Sequence, residues 1–402
     1  RDWSSDVCSS DLTPMHYDPP PALPRGFRCA SRNVGLKLQD KDLSLFVSEV
    51  DCTAAAVFTR NQFPGAPIVL GREVIAGGVL RAVVVNSKVS NVATGAAGVA
   101  NARRMAAAAA KEIGSDAGKV LVSSTGVIGV PLPIEKVESG IVGMAAELQP
   151  DPMVGARGIM TTDTHPKAFS AKVGDATITW IAKGAGMIEP NMATMLAYVF
   201  TDATIDAATL DGMLRRAVDV SFNMCSVDTD TSTSDTCAIL ANGLAGAVDA
   251  AAFEAALTTG CIRMAETIAR DGEGAKHLIR VRVRGAKDTA EAKVIAKSVV
   301  NSPLVKTMVA GADPNVGRLL MAIGKCFTAT IDRASTECWI NGHHVVTKGT
   351  RATFQDADVR TALGGEVVEI AITLGVGSGE VTAFGCDLTH GYIDENAAYY
   401  SS

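Results

Sequence analysis

The stretch Lys183-Gly-Ala-Gly-Met-Ile-Glu-Pro-Asn-Met-Ala-Thr-Met-Leu-Ala-Tyr198 constrains this chain more than any other. A flexible glycine segment runs into Pro190. A small residue, Ala193, then meets a β-branched hydroxyl residue, Thr194, and an apolar run from Met195 to Phe200 follows at once. The pattern reads as a strand that opens on a threonine and is fed by a strained turn. A threonine held in that way can attack the carbonyl before it, break the chain and become a new N-terminus. Its freed amine then serves as base for its own hydroxyl. The plainer reading is a strand that happens to begin with threonine, which is common. The local pattern leaves both open.

Three other segments carry groups that such chemistry could use. Thr125-Gly126 follows the apolar run Val120–Ser124. A tight turn at a strand end can aim a backbone N–H and a hydroxyl at one point, where they stabilise an oxyanion. Lys183, at the edge of the glycine loop, could hold a substrate carboxylate, and Glu273, between two glycines, could bind an amine. Taken singly, each reads more readily as an ordinary turn residue or a solvated charge. Neither Asp271-Gly-Glu-Gly274 nor Gly184-Ala-Gly186 is followed by the Gly-Lys-Ser/Thr of a phosphate-binding loop. No Gly-x-Ser-x-Gly elbow occurs.

Apolar runs of strand length alternate with helical patterns through both halves. Strands are expected at Leu43–Val47, Ala54–Phe58, Ala82–Asn86, Val120–Ser124 and Val173–Ala182. Further strands are expected from Met195 to Phe200, at His277–Arg284, at Glu366–Leu374 and from Val381 to Phe384. Helices are expected near 96–113, from Pro133, at 207–221, 252–270 and 289–300, the last capped by Asp288. Thr201–Asp206 reads as a loop, and 226–235 is a polar run of Ser, Thr and Asp. This alternation predicts an α/β layered architecture.

With 402 residues, the chain can bury a large core. A net charge of −6 without a basic block argues against nucleic acid or a membrane surface as the main partner. No apolar run approaches the ~18 residues of a membrane span. The nine cysteines show no Cys-x-x-Cys pair, so most are expected to be buried thiols in a reducing compartment. His343-His344 reads as a solvated turn after Asn341-Gly342, and no metal site is expected. Residues 1–12 stand apart. Asp2 to Leu12 back-translates into a common sequencing-adapter sequence and is expected to be non-native, with Met15 one candidate start. Ser-rich and without an apolar core, this stretch is not expected to be a signal peptide.

Together the motifs resemble the ornithine acetyltransferase (glutamate N-acetyltransferase, ArgJ) family. The matching stretches are Lys183 to Tyr198, Ser124-Thr-Gly-Val-Ile-Gly129, Thr161-Thr-Asp-Thr164 and Asp228-Thr-Asp-Thr-Ser-Thr-Ser-Asp-Thr236. Asp271-Gly-Glu-Gly274, Asn301-Ser-Pro-Leu-Val-Lys306, Asp313-Pro-Asn315 and Asn396 to Ser402 complete the set, in the family's order from about Phe27 onward. The resemblance implies a DmpA/ArgJ-like sandwich of α/β layers built from two self-cleaved chains, 13–193 and 194–402. It implies cleavage between Ala193 and Thr194, with Thr194 the nucleophile and Thr125 and Gly126 the oxyanion hole. Thr161, Lys183, Thr194, Glu273, Asn396 and Ser401 match the substrate-binding positions. The implied reaction moves acetyl from N-acetylornithine to glutamate without a required cofactor, acetyl-CoA being an alternative donor. The implied assembly is a heterotetramer of two fragments of each kind, in the cytoplasm. Competing readings are an N-terminal-nucleophile amidase or aminopeptidase, or an unprocessed, non-catalytic relative. The chain departs from the family at Asn86-Ser-Lys-Val-Ser-Asn91, where an Asn-Ser-Gly-Asn-Ala-Asn-like loop is usual. It departs again at Val316, where tryptophan is usual.

Overall fold

The computed structural model describes residues 20–189 and 195–397, so Ala193, Thr194 and Ser401 lie outside the described residues. The chain divides into two compact units. The larger comprises the described residues up to Asn223 together with Asp230–Met264. The smaller comprises Met224–Thr229 and the described residues from Ala265 onward.

In the larger unit β1 (Phe27–Arg32) pairs antiparallel with the first half of β2 (Leu43–Phe58). The sequence suggested two separate strands across β2. It is one, because a register shift between Val47 and Cys52 absorbs the interruption around Glu49 and Asp51 without ending the pairing. Next come β3 (Val79–Asn86), β4 (Val120–Ser124), β5 (Lys167–Val173), β6 (Ala176–Lys183) and β7 (Leu196–Thr204). The two-residue β8 (Cys225–Ser226) belongs to the smaller unit, and β9 (Thr236–Ala247) returns to the larger. Among the described residues these make an eight-stranded sheet in the order β4-β3-β2-β9-β7-β6-β5, with β1 beside β2.

The expected strand at Val173–Ala182 is β6 from Ala176 onward, while Val173 closes β5 and the two strands form a hairpin. Gly174, at φ +57°, turns the chain between β5 and β6, the left-handed backbone that glycine tolerates best. Strand β7 runs on through the segment expected to be a loop. Asp202 is fully buried there, and its carboxylate accepts hydrogen bonds from the Thr177 and Arg25 N–H groups at 2.7 and 3.2 Å.

β6 is buried along its whole length and β7 up to its last residue, as expected when both faces of a sheet are covered. On one face lie α1 (Ala66–Ile75), α2 (Gly95–Ile113), α3 (Ile134–Ile141) and α4 (Pro152–Ile159). The alanine-rich side of α2 and the rings of Phe46, Tyr198 and Phe200 fill that core. Gly155 of α4 sits so close to Phe46 that a Cβ would lie 2.2 Å from its ring. On the other face lie α5 (Ala207–Val220), capped by Asp206 accepting from Thr209 N–H at 3.0 Å, and the start of α6 (Ala250–Arg270). Gly260 of α6 meets the Trp180 ring.

The smaller unit carries β10 (Leu278–Ala286), β11 (Glu337–Ile340), β12 (His343–Thr347), β13 (Thr350–Arg351), β14 (Val367–Thr373) and β15 (Gly379–Cys386). Its sheet order is β13-β12-β11-β14-β10-β15-β8. α7 (Thr289–Val300) packs on β10 and β15, and Asp288 caps it by accepting from Glu291 N–H at 2.9 Å, as expected. α8 (Pro303–Ala310), α9 (Gly317–Gly324) and α10 (Asp356–Leu363) follow, and α11 (His390–Ala397) ends the described chain. The turn expected at His343-His344 falls two residues earlier. Asn341 and Gly342 make it with positive φ, and the two histidines open β12, exposed.

Candidate active site

Strand β4 delivers the Thr125-Gly126 turn. The Thr125 N–H donates to Asn86 O at 3.0 Å, and the Ser124 hydroxyl donates to the Asn86 side-chain oxygen at 2.6 Å. The loop after β3 braces the turn from below. Val127 N–H donates to Lys88 O, and the Ser90 hydroxyl donates to Val127 O at 2.7 Å. Gly126 has φ +128°, and a Cβ there would lie 2.2 Å from the Lys88 carbonyl carbon. Only glycine fits. Since Asn86 takes the Thr125 N–H, the Gly126 N–H and the Thr125 hydroxyl are, among the described residues, the turn's donors for a negative oxygen.

Lys183 is the last residue of β6, buried, and pairs in register with Leu196 of β7. Its ammonium donates to Thr125 Oγ1 at 3.5 Å, so residues 58 apart in sequence meet at the ends of two strands. Asp163 lies behind Lys183. Its carboxylate accepts from Lys167 Nζ at 2.6 Å, Gly184 N–H at 2.6 Å and Thr161 N–H at 3.0 Å. Burial opposes its charge. The Lys183 and Lys167 ammoniums and the Thr161 N–H outweigh that and hold the carboxyl at about 2. The structure thus brings Thr125, Gly126, Lys183 and the backbone of Thr161 together around Lys183 and Asp163. Asp163 stands within the motif Thr161-Thr-Asp-Thr164, and nothing in the sequence assigns it a role. A short acidic side chain just before the Lys167 strand was the signal available.

The polar run before β9, together with the first residue of β9, holds both flanks of residues 190–194. Glu189 N–H donates to Asp230 O at 3.1 Å, and the Thr231 hydroxyl donates to Glu189 O at 2.9 Å. On the far side, Thr236 N–H donates to Met195 O at 3.0 Å. The run is itself tied down, with the Thr59 hydroxyl on Ser232 O and the Asn61 amide on Thr231 O, both at 2.7 Å. Asp235 is buried within it, and its Oδ2 has no hydrogen-bond partner among the described residues. Burial pushes this carboxyl well above the usual range, against hydrogen bonds from Ser232, Thr59 and the Met195 N–H and the charge of Lys183.

In the smaller unit Glu273 and Asn396 come together, and the Asn396 amide donates to Glu273 Oε2 at 2.6 Å. Gly274, at φ +70°, sits so close to α11 that a Cβ would lie 2.4 Å from the Gly391 and Tyr392 backbone, and the Thr389 hydroxyl bonds Gly274 O. The eight described cysteines are free and buried, and burial pushes the Cys29, Cys52, Cys261 and Cys338 thiols up to about 12. Such thiols make poor nucleophiles. Among the described residues no cluster of His, Cys, Asp and Glu is placed to hold a metal ion, and no helix is long and apolar enough to cross a membrane.

The sequence model of the ArgJ family matches residues 28–401. The chain belongs to the ArgJ family. It is 47% identical over 380 residues to the arginine biosynthesis bifunctional protein ArgJ 2 of Clostridium acetobutylicum, covering 94% of this chain and 98% of that protein. It is 46% identical over 391 residues to the glutamate N-acetyltransferase Oat2 of Streptomyces clavuligerus, covering 95% and 99%. Among solved structures it is similar to the arginine biosynthesis bifunctional protein argJ of Bacillus halodurans, with a TM-score of 0.50 and 38% identity. That match covers 51% of this chain and 100% of the solved one. The likeness agrees with the α/β layers expected from sequence.

Proposed function

We propose that this member of the family is a self-processing acetyltransferase that moves acetyl from N-acetylornithine to glutamate in arginine biosynthesis. The observation that carries the reading is the meeting of Lys183 with Thr125, above a glycine-only turn, at the strand end that pairs with Leu196. The near full-length likeness to a glutamate N-acetyltransferase supports the substrate assignment.

Processing comes first. The Thr194 hydroxyl attacks the Ala193 carbonyl carbon, the peptide nitrogen leaves as the Thr194 α-amine, and an ester joins the two pieces. Water then hydrolyses the ester to a carboxyl on Ala193 and a free Thr194 hydroxyl. The solved chain that matches 51% of this one along its full length supports fragments of about half size. An α-amine titrates near 7.7–8.0, so a useful fraction is neutral at cytosolic pH.

In transfer, that amine takes the hydroxyl proton while Thr194 Oγ attacks the acetyl carbonyl of N-acetylornithine. The Gly126 N–H and the Thr125 hydroxyl stabilise the oxyanion. Ornithine leaves as the free amine, taking the proton, and acetyl-Thr194 remains. Glutamate enters, its amine attacks the ester, and N-acetylglutamate leaves. One amide replaces a similar amide, so no nucleotide or cofactor is required. Both substrates present an α-carboxylate to Lys183, with Thr161 as a polar contact, and the family resemblance adds Glu273, Asn396 and Ser401 as substrate-binding positions. The working assembly is two fragments of each kind in the cytoplasm, a compartment that suits eight buried free thiols.

Two assays of the purified protein test this, one with N-acetylornithine plus glutamate and one with acetyl-CoA plus glutamate. The first is expected to give ornithine and N-acetylglutamate in equal amounts. The second reads whether acetyl-CoA also serves as donor. Release of acetate without transfer to glutamate would overturn the reading in favour of a hydrolase.

A further inference from the structure

We infer that Asp163 is a positioning residue that sets how tightly the substrate carboxylate is held, acting through Lys183 and Thr161. The inference rests on the binding roles proposed above. Asp163 and Lys167 both have fully buried side chains. One oxygen of Asp163 accepts from Gly184 N–H and from Lys167 Nζ, each at 2.6 Å, and the other accepts from Thr161 N–H at 3.0 Å. A single carboxylate therefore bonds the backbone of Thr161 and the backbone of the residue that follows Lys183.

Fixing the Gly184 N–H fixes the peptide plane at the end of β6, and with it the direction in which the Lys183 side chain leaves the strand. Thr161 is held from the same carboxylate, so the two substrate contacts share one anchor. The electrostatics act in the same sense. A buried ammonium needs an anion within reach. Other titratable groups around Lys183 among the described residues include Lys167, Lys37 in the loop between β1 and β2, and Asp235 before β9. Lys167 and Lys37 add positive charge, and burial favours the neutral form of Asp235, so Asp163 supplies negative charge beside Lys183.

Removing Asp163 alone would strand the buried Lys167 ammonium. Removing both partners takes away the stranded Lys167 charge and leaves the loss of the anion beside Lys183 as the effect that is read. The test therefore compares Lys167→Met with the double variant Asp163→Asn/Lys167→Met, and both with Lys183→Met, by KM and kcat for N-acetylornithine. Ornithine binding by calorimetry gives the same comparison for any variant that remains uncut. The double variant is expected to bind about tenfold more weakly than Lys167→Met, the scale of one charge-assisted hydrogen bond, with kcat changed less than KM. A merely structural role would lower the active fraction, hence kcat, and leave KM alone. If Lys183→Met raises KM while the double variant matches Lys167→Met, Asp163 does not position the site. If Lys183→Met itself leaves KM and ornithine affinity unchanged, the carboxylate role of Lys183 falls, and this inference with it.

Discussion

At the scale of single residues, Gly126 is the position with least freedom. Its φ of +128° and the 2.2 Å separation between a built Cβ and the Lys88 carbonyl carbon leave no room for a side chain. Gly126→Ala must push the turn off the Lys88 loop and rotate the Gly126 N–H away from its target. Loss of one oxyanion donor costs roughly a hundredfold or more in turnover. We expect a fall of that size in kcat for acetyl transfer, measured on purified, cleaved protein with substrate affinity little changed. An undiminished kcat would remove the turn from the chemistry. The same contact gives the altered Ser87–Asn91 loop a physical meaning. Lys88 has φ +79°, a backbone that costs about 1–2 kcal/mol for a residue with a Cβ. The family's usual loop has glycine at that position, so this chain carries strain directly beneath its proposed oxyanion hole. Thr125, Gly126 and Lys183 could be picked out in sequence only as part of the set of motifs that resembles the family, since a turn or a lysine at a strand end is by itself ordinary. Asp163 could not, since its role lies in three partners that only folding brings to it.

At the scale of elements, the segment leading into β9 has the largest consequence that its sequence did not reveal. Residues 226–235 read as a polar run, yet Asp230 and Thr231 hold Glu189 on one side of residues 190–194, and Thr236, where the run enters β9, holds Met195 on the other. Serine and threonine hydroxyls serve as local donors, which composition alone cannot distinguish from solvation. Asp235 tests how dry this brace is. Its folded carboxyl titrates well above the unfolded value. It therefore contributes most favourably below the unfolded pKa of about 4 and loses that contribution as pH rises toward the folded value. Asp235→Asn removes the penalty, so the variant is expected to be more stable than the parent at pH 7, by on the order of 1–3 kcal/mol. The difference should vanish at about pH 3 and below, where the unfolded state of the parent is protonated as well as the folded one. Urea midpoints at the two pH values check this, and equal stability at pH 7 would show that water or another donor reaches the carboxyl. Strands with continuous apolar runs, such as β3 and β4, were legible because both faces are covered. The β5–β6 hairpin was not, because Gly174-Asp175 is too short an interruption to break an apolar alternation. Helix α1 was also missed, its signal reduced to Pro67 near its start.

At the scale of the whole molecule, the proposed cut and the compact units are different divisions. Strand β6 precedes residue 193 and β7 follows it. The two are hydrogen-bonded from Ile178–Thr201 to Lys183–Leu196, and β7 is held on its other side by β9. Cleavage therefore leaves the two fragments sharing one sheet and one core. They are expected to elute together from a sizing column and to separate only on denaturation, while fragments that part in native buffer would contradict this topology. Fold class and the order of motifs were legible because they depend on local periodicity and on segments read in series. The pairing of β7 between β6 and β9 was not, because strand order in a sheet depends on contacts distant in sequence. The central claim is that Thr194 carries the acetyl group. Mass spectrometry of the denatured protein after brief mixing with N-acetylornithine, without glutamate, tests it most directly. The fragment that begins at Thr194 should gain one acetyl group on that residue and lose it when glutamate is added, and Thr194→Ala should remain a single uncut chain that gains none. An acetyl group on any other residue, or full transfer activity in Thr194→Ala, would contradict the account.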